Sequence, residues 1–165
     1  MDILDRLLGH DGWTTQQLLE QCRTLAPAQW DQPFAIDHGS LRQTFVHMLD
    51  AMEIWTDLLY ERPVRTEHAG EAPEQLQQRL TSVGREFAAR ARTIVREQRY
   101  DDVFIDTLDN PPVAKTFGGA IAHVITHNMH HRAQIMYIME QLGLREHVEG
   151  DLLSWESIAF GWKSQ

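Results

Sequence analysis

His123-Val124-Ile125-Thr126-His127-Asn128-Met129-His130-His131-Arg132-Ala133-Gln134-Ile135 carries four of the chain's nine histidines. It reads as the middle of one long helix. Residues four apart on a helix stand one above the other on the same face, so His127 and His131 can offer two imidazole nitrogens to a single point. His123 with His127, and His127 with His130, are further pairings that spacing alone allows.

A projection at about 100° per residue separates them. With His127 at zero, Ile121, Val124, Ile125, Ile135, Met139 and Leu142 cluster between roughly 60° and 160° and mark the buried face. His131 falls at about 40°, with His127 at the edge of the stripe, whereas His123 and His130 fall near 320° and 300°, among polar residues. Arg132, at about 140°, lies on the apolar side, where an ion pair is the expected role.

Working outward, four further helical segments surround this one. Residues 2 to about 24 place Leu4, Leu7, Leu8, Leu18 and Leu19 at helical spacing, with Asp11 near the middle of the apolar stripe, where a carboxylate needs a partner. Residues 27 to 39 read as a loop, and Ser40 as the N-cap of a second helix from about Leu41 to Tyr60. The stripe of that helix (Phe45, Met48, Met52, Trp55) has His47 at its edge, in the same relation to the core as His127.

After an irregular polar segment over 62–72, Pro73 opens a third helix that runs to about Gln98, with Arg79, Arg85, Arg90, Arg92 and Arg96 expected on a solvated face. Val103, Ile105 and Thr107 alternate before Asp109-Asn110-Pro111-Pro112, which predicts a short strand or hairpin between 101 and 119. The histidine-bearing helix then starts at Thr116 or Gly118 and ends near Leu142, before Gly143. A short amphipathic piece from Leu152 to Trp162 closes the chain. The expectation is an all-α fold, an antiparallel four-helix bundle with a short C-terminal fifth helix, as a single domain over 1–165.

Composition narrows the class. Fifteen basic against 24 acidic residues give a formal charge of -9, which argues against a nucleic-acid surface. A lone cysteine, Cys22, excludes an intrachain disulfide, and no apolar run approaches the roughly 20 residues of a membrane span. A cytoplasmic location is expected. Glu-x-x-His and His-Glu-x-x-His are both absent, which sets aside the di-iron carboxylate bundles and the common zinc-protease helix.

Three histidines on two helices can thus meet at one rim of the core. An isolated histidine at a stripe edge is more often half-buried and hydrogen-bonded than a ligand, but His47, His127 and His131 coincide. Three neutral imidazoles with a fourth position open is a catalytic type of metal site, whereas structural zinc sites are usually closed by four ligands. Imidazole suits Zn, Ni, Cu and Fe alike.

Gly12-Trp13 on the first helix, Phe45-Val46-His47-Met48-Leu49 on the second and His127-x-x-x-His131-Arg132-x-Gln134-Ile135 on the fourth resemble the DinB-like or YfiT-like superfamily of metalloenzymes over nearly the whole chain. The resemblance implies an up-down-down-up bundle, a homodimer, and one divalent transition metal (Zn, Ni or similar) held by His47, His127 and His131. It also implies a small-molecule substrate and S-transferase or hydrolase chemistry through a metal-activated thiolate, from a low-molecular-weight thiol, or through water. The alternative within the same family is a non-catalytic metal-binding or stress-response bundle. Two roles remain open beside the triad. Asp11 either points to the metal pocket as a catalytic group or is a partnered core carboxylate, and Gln134 is a candidate to orient a ligand histidine by hydrogen bonding its ring.

Overall fold

In the computed structural model, residues 1–66, 70–148 and 150–162 are described; residues 67–69 of the irregular 62–72 segment lie outside them. Among these residues, six helices and one two-stranded sheet form in the order α1 (Ile3–Cys22), α2 (Pro27–Trp30), α3 (Leu41–Leu59), α4 (Pro73–Arg96), β1 (Val103–Asp106), β2 (Val113–Thr116), α5 (Phe117–Gln141) and α6 (Leu152–Ala159). The chain is therefore mostly helical.

Local chemistry sets the ends of these elements. Asp2 accepts a hydrogen bond from Asp5 N at 2.8 Å, Ser40 from Gln43 N at 3.2 Å, and Thr116 from Gly119 N at 3.1 Å. Each satisfies an amide that the first turn of a helix leaves without a partner. Gly143, with φ 91°, follows α5 in the left-handed conformation that stops a helix and that glycine adopts without steric cost.

The expected hairpin is present as an antiparallel pair with Val103 opposite Thr116 and Asp106 opposite Val113. It adds a small sheet to the otherwise all-α expectation. The single turn α2 falls inside the stretch expected to be loop. Four residues are too few to show a helical period, and Pro27 at its start serves a helix N-terminus as well as a loop.

α3 packs against α4 and α5, α1 also packs against α4 and α5, and α6 lies on α1. Between the long helices Leu18, Leu19, Phe45, Met48, Leu49, Phe87, Val124 and Ile135 are buried in one core. Each large side chain fully withdrawn from water there contributes roughly 1.5–3 kcal/mol. No described helix is long and apolar enough to cross a membrane.

One expectation about α4 is corrected. Arg79 is not on a solvated face: it is 4% exposed, and its guanidinium bonds Glu53 at 2.8 and 3.1 Å and also Asp50, both on α3. The reason lies in its register, because Arg79 stands three residues after Leu76 and four before Val83, inside the apolar stripe. Arg85, Arg92 and Arg96 are exposed as expected, and Arg90 is half-buried with its Nε donating to Leu59 O at 2.7 Å.

Candidate metal centre

α3 and α5 lie side by side, and their facing edges bring three imidazoles together. His127 Nε2 lies 3.1 Å from His47 Nε2 and 3.1 Å from His131 Nε2. His131 is buried, and His47 and His127 are half-buried. An imidazole nitrogen carries either one proton or one lone pair. A single proton on His127 Nε2 would have to be shared between two acceptors, whereas a cation among the three nitrogens would use every lone pair.

The His47–His127 and His127–His131 separations also suit an ion shared by each pair. Nitrogens about 2.0–2.1 Å from a common metal are separated by about 3.0 Å at right angles and about 3.4 Å at tetrahedral angles. The donor set thus fits a divalent transition metal that accepts imidazole.

Gln134 fixes the tautomer of one candidate ligand. Its Oε1 accepts from His131 Nδ1 at 2.7 Å, and its Nε2 donates to His130 Nε2 at 3.1 Å. With the His131 proton on Nδ1, Nε2 is left as a bare lone pair facing the cluster. The two bonds agree on the orientation of the Gln134 amide, since one needs its oxygen and the other its nitrogen.

The cluster is held neutral. Burial, then the neighbouring His131, His47 and His123 rings, push the His127 pKa down to about 4. Burial, His38 and His131 likewise lower that of His47. His131 is lowered by burial against the raising effect of its bond to Gln134. A ligand imidazole must be unprotonated, so these shifts leave the donors available at neutral pH.

Behind the cluster a second row of α5 side chains faces α1. Arg132 bonds the Asp11 carboxylate and reaches Thr15 Oγ1 at 3.3 Å, and Asn128 Nδ2 donates to Asp11 Oδ2 at 3.0 Å. Asp11 is therefore the partnered core carboxylate of the two readings, with Arg132 and Asn128 as its partners and no histidine of the cluster bonded to it. Asn128 and Arg132 each follow a cluster histidine by one residue, and both pairs are four apart. The ion pair on one side therefore sets the rotation of α5 that aims His127 and His131 on the other.

The remaining α5 histidines stand at the margin. The exposed His123 ring packs edge-on against Trp55 with centroids 5.0 Å apart, and exposed His130 meets His131 at 5.1 Å and bonds Gln134.

His38 joins the cluster with no periodic signal in the sequence to mark it. It sits on the turn before α3, its ring stacked on His47 with centroids 3.8 Å apart, and nitrogens of His38, His47 and His131 lie within 4.8 Å of one another. Asp37, His130 and His131 form a second such group on the outer side. The turn is closed by Gly39 N donating to Ile36 O at 2.8 Å, with Gly39 at φ 78°. A loop has no period to project, and only Asp37-His38-Gly39 ahead of an N-cap serine signals a turn aimed at the helix that follows.

The model of the DinB family matches residues 1–156. The chain belongs to the DinB family. Among solved structures, the DinB-family chain is similar to a protein from Exiguobacterium sibiricum 255-15, described as a member of the same family. The two are 22% identical over 90% of this chain and 95% of that one, with a TM-score of 0.61. At that identity the likeness concerns the fold. No curated protein matches the chain.

Proposed function

We propose that this DinB-family protein is a divalent-metal-dependent enzyme whose ion is held by His47, His127 and His131. Its reaction is S-transfer from a low-molecular-weight thiol to a small electrophile, or hydrolysis. The observation that carries the reading is the approach of His47 Nε2 and His131 Nε2 to His127 Nε2, two contacts of 3.1 Å where a single proton serves only one. The packing of α1 and α3 each against α4 and α5 supports the up-down-down-up bundle that goes with it.

An ion in such a site supplies Lewis acidity and lowers the pKa of a thiol or water beside it. The chain's own side chains do the rest. Gln134 holds the His131 proton on Nδ1 and so keeps Nε2 directed inward. Burial keeps the three rings neutral, and the Asp11–Arg132 pair holds α5 in register.

A second reading, a metal-binding protein without turnover, has one observation in its favour. His38 lies over the cluster, and four imidazoles would close the site as structural ions are closed. Metal-loaded protein screened for turnover with low-molecular-weight thiols and electrophiles, and with hydrolysable esters and amides, separates the two. Metal-dependent turnover that disappears in His127→Ala supports the enzyme, and tight metal binding without turnover across the screen supports the second reading.

A further inference from the structure

His38 has no role in the triad, yet its Nε2 is a buried nitrogen without a hydrogen-bond partner. The Asp37 carboxylate stands 3.5 Å from it, outside hydrogen-bond geometry. A buried polar atom left without a partner costs free energy that something must offset. Its nearest aromatic neighbours are His47, at 3.8 Å between centroids, and His131, at 5.1 Å, both members of the candidate metal set. Nitrogens of the three rings already lie within 4.8 Å of one another.

We propose that His38 is a fourth protein ligand of the metal, delivered by the Ile36–Gly39 turn from outside the helices. The inference rests on the metal-binding reading of His47, His127 and His131. In the structure the His38 ring lies nearly parallel to His47, with 25° between their planes. Ligation turns the ring so that its nitrogen, and not its face, meets the ion. A ligand borne by a turn differs from three borne by long helices: it occupies the position that an exogenous thiol or water would otherwise take, and it is the one that an incoming ligand can displace without disturbing the core.

The test uses Co(II) as the probe, titrated into the full-length wild type and the His38→Ala, His38→Gln and His127→Ala variants. The d–d absorption reports coordination, and competition with a chelator reports affinity. Loss of a group that merely orients a ligand lowers metal affinity about 10–100-fold, so His38→Ala and His38→Gln are expected to bind at least about tenfold more weakly than wild type. Exogenous imidazole should restore the wild-type spectrum to His38→Ala. Equal melting temperatures of the metal-free proteins confirm that the turn variants fold. If both His38 variants keep the wild-type affinity and spectrum while His127→Ala loses the ion, the fourth ligand is overturned and the triad stands. A wild type that takes up no Co(II) overturns both.

Discussion

Removing the Asp11 carboxylate tests what holds α5 in register. The Arg132 and Asp11 side chains are 3% and 5% exposed, so solvent does little to screen either charge. In Asp11→Ala the guanidinium retains Thr15 Oγ1 at 3.3 Å and the backbone oxygen of residue 11 at 3.4 Å, both neutral acceptors. The Asn128 amide loses the carboxylate it donates to at 3.0 Å. Breaking a buried pair from one side costs about 3–5 kcal/mol, because an uncompensated charge stays behind. An unsatisfied amide adds about 1–3 kcal/mol in isolation, though the two share a network and do not simply add.

The expected loss is therefore at least about 3 kcal/mol, a large part of the roughly 5–15 kcal/mol that holds a domain together. With a urea slope of about 1–3 kcal/mol per molar, the midpoint of the metal-free protein should fall by about 1 M or more. Replacing both partners, Asp11→Leu with Arg132→Met, should cost much less than either single change suggests, because no charge is left buried. An Asp11→Ala stability within about 0.5 kcal/mol of wild type, the range of ordinary surface positions, would refute the reasoning.

Gln134→Leu should leave the fold intact but weaken metal binding about 10–100-fold, since the His131 Nδ1 proton loses its acceptor; a chelator competition assay reads this directly. Arg79→Met should lower the urea midpoint, because it removes the charge-assisted bonds of 2.8 and 3.1 Å to buried Glu53, and bonds to a charged group contribute about 1.5–3 kcal/mol. Acid should weaken the metal-free protein through His127. Above the ordinary value of 6.5 both folded and unfolded chains hold it neutral; below it the unfolded chain takes a proton that the folded one refuses until about pH 4. Stability is thus lost as pH falls from 6.5 towards 4, and urea midpoints across that range should fall less steeply in His127→Asn.

The helices were legible because their signals are local and repeated. α3, α4 and α5 each join an apolar stripe to a marked start at Ser40, Pro73 or Thr116, and Gly143 marks the end of α5. Projection also put His47 and His127 at stripe edges, which the packing of α3 on α5 turns into a contact of 3.1 Å. Arg79 was misplaced by residue type, although its register between Leu76 and Val83 pointed inward. The role of Asp11 needed the third dimension. Its position in the α1 stripe demanded a partner, but nothing in a one-dimensional pattern says whether α5 turns a histidine or Arg132 towards it. His38 lay furthest from reach, because a turn has no period and its ring finds His47 only when residues 36–39 fold back over the start of α3.

The central claim is that His47, His127 and His131 hold an ion together, and elemental analysis of the purified native protein beside His127→Ala tests it most directly. The account predicts one divalent transition-metal ion per chain in the native protein and a large loss in the variant. A native protein without such an ion that also fails to take up zinc, nickel or cobalt, or a variant that retains the full native content, would contradict it.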